Sequence, residues 1–146
     1  MLIGFASDHA GIALRETLIE YLKSRGYECA DYGIRSGNSV QGLVLAKKVA
    51  ADILEQKIEK GILICGTGVG MSISANKVEG IRAGLCSDVY TARMMVRHNN
   101  ANVLALGARV VGTELAKLIA EEFLEAHFEG GRHVERIRLM ESRWVL

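Results

Sequence analysis

The sequence predicts an α/β protein, a three-layer doubly wound fold (Rossmann-like) around a five-stranded parallel sheet. Two observations predict it. Short apolar runs alternate along the chain with stretches whose apolar residues recur at helical spacing, and strand, crossover helix, strand is the unit from which parallel sheets are built. The apolar runs also stop at turns rich in Gly, Ser, Asp or Asn, as strands do where they open into loops. The length of 146 residues suits one domain spanning 1–146, since a chain of this size buries roughly 70% of its unfolded surface without needing staples.

Taken in order, Met1 to Ala6 is the first strand. Ser7-Asp8-His9-Ala10-Gly11 forms a polar turn, and Ile12 to Arg25 is a helix with Leu14, Leu18, Ile19 and Leu22 on one face, ended by Gly26. Tyr27 to Tyr32 is the second strand, and Gly33 to Gly42 is a loop by composition. Leu43 to Leu54 returns to helical period, and Gly61 to Cys65 is the third strand, opening into Gly66-Thr-Gly-Val-Gly70 before a short helix at Ser72 to Asn76. Ile81 to Cys86 and Asn102 to Leu106 are the fourth and fifth strands, separated by a helix from Asp88 to His98. Thr113 to Ala126 is an amphipathic helix, Gly130-Gly131 breaks the chain, and Arg132 to Trp144 is the last helix.

Composition narrows the function classes. Apolar residues at 49% and charged residues at 24% exclude disorder as the organising principle. A net charge of +1 supplies no field for nucleic acid or a membrane surface, so an anion must be bound by local groups. Three cysteines without a CxxC pair, and a first strand where a leader would stand, make the cytoplasm the expected location. No apolar run approaches a membrane span.

In a doubly wound sheet ligands bind beyond the carboxyl ends of the strands, so functional residues are expected just after strands. Ser7-Asp8-His9, Cys65 to Gly70, Cys86-Ser87-Asp88 and Gly107-Ala108-Arg109 meet that rule. The loop Gly66-Thr67-Gly68-Val69-Gly70 is a weak match to a dinucleotide fingerprint, because the third glycine would fall at position 71, which is Met. It reads either as a tight turn or as a loop whose backbone N–H groups, with the following helix N-terminus, face an anion. Cys65 reads either as a small buried hydrophobe or as a thiol whose anion that loop stabilises; Cys29 and Cys86 take the first reading. Asp8 and His9 cap the next helix or serve proton transfer and anion contact. His98 and Asn99 are a helix C-terminus or part of a site. Arg132 and Arg136, four apart on one helix face, are a solvated basic face or a phosphate grip.

These stretches together resemble the type B ribose-5-phosphate isomerase family, which includes allose-6-phosphate and galactose-6-phosphate isomerases. The resemblance rests on Ser7 to Gly11, Ile64 to Gly70, Ala75-Asn76-Lys77, His98-Asn99, Gly107 to Gly112 and Glu129-Gly130-Gly131-Arg132-His133, which run over nearly the whole chain. It implies aldose–ketose isomerisation of a sugar phosphate through a cis-enediolate, with no metal and no organic cofactor. By that resemblance Cys65 is the base between C1 and C2, Thr67 lies beside it, His98 opens the sugar ring and Asp8 shuttles a hydroxyl proton. Gly66, Gly68, Val69 and Gly70 stabilise the enediolate through their amides, Asn99 holds sugar hydroxyls, and His9, Arg109, Arg132 and Arg136 bind the phosphate. It also implies a homodimer, pairing in some members into tetramers, whose sites draw on both subunits, with the helix at about 132–144 packing on the partner. One stretch departs from the family: where an Asp-Tyr-Pro segment follows the second strand, this chain reads Asn38-Ser-Val-Gln-Gly-Leu43. A different phosphorylated sugar, such as a hexose or tetrose phosphate, is therefore open. The rival readings are a non-catalytic sugar-phosphate- or nucleotide-binding domain and a dinucleotide oxidoreductase.

Overall fold

The computed structural model describes residues 1–33 and 39–142. Five strands, β1 (Leu2–Ser7), β2 (Glu28–Asp31), β3 (Lys60–Cys65), β4 (Ala83–Leu85) and β5 (Val103–Gly107), form one parallel sheet in the order β2-β1-β3-β5-β4. Six helices connect or follow them: α1 (Ile12–Ser24), α2 (Ser39–Leu54), α3 (Val69–Asn76), α4 (Val89–Arg97), α5 (Thr113–Glu125) and α6 (Arg132–Glu141). The chain leaves β1 toward β2 on one side and returns to β3 on the other. The ends of β1 and β3 therefore make the switch point at which such sheets form crevices.

Alternation along the central strands builds the layers. Ile3, Phe5, Ile62, Ile64, Leu104 and Leu106 face α1, α4 and α5. Ala6, Leu63, Cys65 and Val103 face α2 and α3. Ile62, Leu63 and Ile64 are each 0% exposed, and burying such side chains contributes about 1.5–3 kcal/mol apiece. β3 is thereby held from both faces, and its last residue, Cys65, inherits that fixed position. No helix among the described residues is long and apolar enough to cross a membrane.

Three boundaries differ from the sequence expectation. α2 begins at Ser39, inside the segment read as a loop; residues 34–38 lie outside the described residues. Gly42 sits in the first turns of α2 because a Cβ there would stand 2.7 Å from the Cβ of Asp8, so its presence marks close packing and not a break. α3 begins at Val69, directly from the glycine loop, and not at Ser72. α6 ends at Glu141, and the expected continuation to Trp144 falls partly on undescribed residues.

Candidate active site

β1, β3 and β5 end side by side at one edge of the sheet, and their loops are bonded to one another. The Asp8 N–H donates to the Ile64 carbonyl at 3.1 Å. Asp8 is 8% exposed, and its Oδ1 accepts the Ala10 N–H at 2.8 Å, capping the short 3₁₀ turn His9–Gly11. Asp8 thus caps the 3₁₀ turn and not α1 itself, whose N-cap is Gly11 with no side-chain cap. His9 is exposed beside it.

Cys65 closes β3 and is 8% exposed. The pairing of β3 with β5 runs on past both strands: Ala108 N–H donates to the Cys65 carbonyl at 2.8 Å and Arg109 N–H to the Gly66 carbonyl at 3.0 Å. The chain then turns through Gly68, whose φ of 83° places it in the left-handed region at the N-cap of α3. That turn points the Gly68 N–H at the Cys65 Sγ, 3.0 Å away, and the Val69 N–H at the Thr67 Oγ1, 3.3 Å away. Two of the loop's amides thus serve the loop's own sulfur and hydroxyl. Thr67, Val69 and Gly70 are exposed to solvent, and the Arg109 side chain lies along Gly66. Met71, where a dinucleotide fingerprint needs glycine, is fully buried in the core. Burial pushes the Cys86 thiol up to about 11 and the Cys29 thiol up as well, so both stay protonated at neutral pH.

The other expected residues lie at the opposite edge of the sheet. α4 carries the chain back from the end of β4 to the start of β5, and His98 is its C-cap. The neighbouring Asn100 carbonyl accepts from Arg82 Nε at 2.8 Å, just before β4 begins. Nine helical residues at about 1.5 Å each separate the two edges by roughly 13 Å. His98, Asn99, Arg132, His133 and Arg136 line one open pocket of ≈ 470 Å³. The expectation that functional residues follow strands is thus corrected: it describes Asp8, His9, Cys65 to Gly70 and Arg109, but not His98, Asn99, Arg132 and Arg136. The reason is that α4 ends where β5 starts, which puts His98 and Asn99 at the amino edge, and the chain after α5 returns to the same place through the Glu129 N–H bond to the Arg97 carbonyl, so α6 begins beside them.

In that pocket the His98 and His133 rings stack with centroids 4.4 Å apart and planes 13° from parallel. Glu129 Oε2 lies 3.4 Å from His133 Nε2 and 3.9 Å from His98 Nε2. Glu129 Oε1 accepts from Arg97 Nε at 2.6 Å, and the Glu129 N–H donates to the Arg97 carbonyl at 3.0 Å. Burial works against the Glu129 charge, but Arg97 and the two histidines outweigh it and hold the carboxyl below its ordinary range. Although these three side chains bring one ligand atom each within 4.8 Å of the others, nearly parallel rings cannot aim their in-plane lone pairs at one ion. The arrangement is a stack, not a metal centre. Glu129 and His133 stand in a stretch that carries the family resemblance, but the sequence reading gives them no role; their i, i+4 spacing at the start of α6 was the available signal.

Compared with known proteins, residues 3–140 match the family model described as Ribose/Galactose Isomerase. The chain is 47% identical to ribose-5-phosphate isomerase B of Escherichia coli over 92% of its length and 91% of that protein. It is 44% identical to a D-erythrulose-4-phosphate isomerase of Pectobacterium atrosepticum over 92% of its length and 90% of that protein. Its structure superposes on that of Clostridium thermocellum ribose-5-phosphate isomerase B with a TM-score of 0.93 and 48% identity, covering 97% and 95% of the two chains.

Proposed function

Because this chain belongs to the Ribose/Galactose Isomerase family, we propose that it interconverts an aldose phosphate and a ketose phosphate, of the ribose 5-phosphate to ribulose 5-phosphate type, with Cys65 as the base. The observation that carries the assignment of Cys65 is the Gly68 N–H aimed at its sulfur across 3.0 Å, which fixes the sulfur at the head of α3, where the loop opens to solvent. The thiolate removes the C2 proton of the open-chain aldose and returns it to C1. Between the two transfers, O1 and O2 carry the charge of a cis-enediolate, and the Gly66 and Gly70 amides with the Thr67 hydroxyl stabilise it as it develops, while the Gly68 and Val69 amides hold the Cys65 sulfur and the Thr67 oxygen in place. Asp8 moves the hydroxyl proton between O1 and O2. The electrons stay within the sugar, C1 being reduced as C2 is oxidised, so the chemistry calls for no redox cofactor.

Ring opening by His98, hydroxyl contacts from Asn99, and phosphate contacts from His9, Arg109, Arg132 and Arg136 complete the assignment. One chain cannot bring these groups to Cys65, because they are divided between the two edges of the sheet. A second copy can. In a two-fold pair, if the histidine pocket of one chain meets the cysteine loop of its partner, the reverse contact follows and two whole sites form. Supporting this, exposed apolar residues flank the cysteine loop: Val40 and Val44 on α2, Val69 and Ile73 on α3, and Val110 after β5. α6 fits the same reading, since His133 is its only buried residue while Val134, Leu139 and Met140 stay exposed.

The test is a panel of aldose and ketose phosphates of four to six carbons, assayed with the wild-type protein and with Cys65→Ala. The expected result is isomerisation that falls by roughly 10²–10⁴ in kcat on loss of the base; near-normal turnover by the variant would remove Cys65 from the role. A four-carbon substrate is the second reading. It is favoured by the Pectobacterium relative named for erythrulose 4-phosphate and by the altered stretch at 38–43.

A further inference from the structure

α6 has one buried residue, and it is a histidine. His133 is 5% exposed, and its Nδ1 is buried without a hydrogen-bond partner among the described residues. A leucine at that position would anchor the helix at lower cost, since a buried polar atom left unpaired gives up its bonds to water and gains none. Anchoring alone therefore does not explain the choice. What the imidazole supplies is a flat face. His98, with 35% of its side chain exposed, ends a helix at the rim of an open pocket, where an imidazole has several rotamers available. The His133 ring lies against it 4.4 Å away and 13° from parallel. His133 Nε2 accepts from Arg132 Nε at 3.5 Å and lies 3.4 Å from Glu129 Oε2, and Glu129 is held by Arg97 on the helix that carries His98. The sequence Arg97, Glu129, His133, His98 is a closed circuit, returning to the residue next to where it began.

The geometry points to His133 as a positioning residue for His98 in opening the sugar ring, with Glu129 holding His133 in register. This rests on the reading of His98 given under the proposed function. Opening a furanose breaks the bond from C1 to the ring oxygen, forms the C1 carbonyl, and moves one proton from the anomeric hydroxyl to the released oxygen. A single imidazole carries that proton, taking it from one oxygen and delivering it to the other, so the net proton count is unchanged. The two oxygens share one carbon. A ring free to tumble meets them in the right orientation only a fraction of the time, whereas a ring with its plane fixed meets both; misplacing a catalytic group by about 1 Å costs on the order of 10²-fold.

The experiment separates ring opening from isomerisation. In the Cys65→Ala protein, exchange between the α and β anomers of ribose 5-phosphate is followed by saturation-transfer NMR. The expected result is exchange faster than in buffer, abolished by adding His98→Gln. Adding His133→Leu instead, which fills the buried space without a flat face, lowers exchange about 10–100-fold while binding of ribose 5-phosphate stays within about threefold. His133→Phe, which restores the face, recovers most of the loss. Exchange unaffected by His133→Leu, or no better with Phe than with Leu, overturns the inference. Exchange that is no faster than in buffer, or that survives His98→Gln, removes the role of His98 and the inference with it. The reading of the protein as an isomerase is judged apart from either, by turnover of the wild-type enzyme.

Discussion

At the scale of single residues, Gly68 connects backbone geometry to chemistry. Its positive φ turns its N–H toward the Cys65 sulfur, and a Cβ there would lie 2.9 Å from the Leu106 carbonyl carbon. Gly68→Ala is therefore expected to lower stability by about 1–3 kcal/mol through left-handed strain and to lower kcat as the N–H swings off the sulfur. Denaturant unfolding and steady-state kinetics measure the two effects; a variant with native stability and kcat would show that the turn tolerates a side chain and that the contact is idle. Arg132 and Arg136 are the proposed phosphate contacts. Replacing either by Ala should raise KM for a sugar phosphate far more than it affects the unphosphorylated sugar, and equal losses on both would take the phosphate away from them.

Among the elements, α6 is docked beside a local charge cluster formed by Arg97, Glu129 and His133. Glu129 has its carboxyl held below the ordinary value of 4.5, so its contribution to docking α6 is fully present above that value and is lost as pH falls through the lower folded value. Hydrogen exchange resolved by peptide should show α6 losing protection below pH 4.5 while α5 keeps its own. Glu129→Gln should show the same loss at neutral pH; unchanged protection of α6 in that variant would mean that the helix is held by something else. The elements themselves were largely legible in the sequence, because apolar period and glycine punctuation report directly on strands and helices. α2 was misjudged at its start, since Gly42 has the composition of a loop and its actual reason, the approach of Asp8, is a tertiary contact 34 residues away. The position of His98 is a different case: the sequence shows that it ends a helix, as it does, but only the strand order shows which edge of the sheet that is.

For the whole molecule, the division of the candidate site between two edges makes assembly a matter of chemistry. Cys65→Ala and His98→Ala chains, each inactive as a pure preparation, should regain activity when co-expressed, because a mixed pair contains one site with both groups intact. Random pairing gives about a quarter of wild-type turnover under two-fold symmetry. No recovery, or a fully active monomer by light scattering, would end the shared-site reading. The ladder between β3 and β5, which runs past both strands through Ala108 and Arg109, has a separate consequence. It makes the cysteine loop a continuation of the sheet and not a lid. On the proposed reading, the loop is in place before a sugar arrives, so little ordering entropy is lost there on binding, and product departs without waiting for that segment to open.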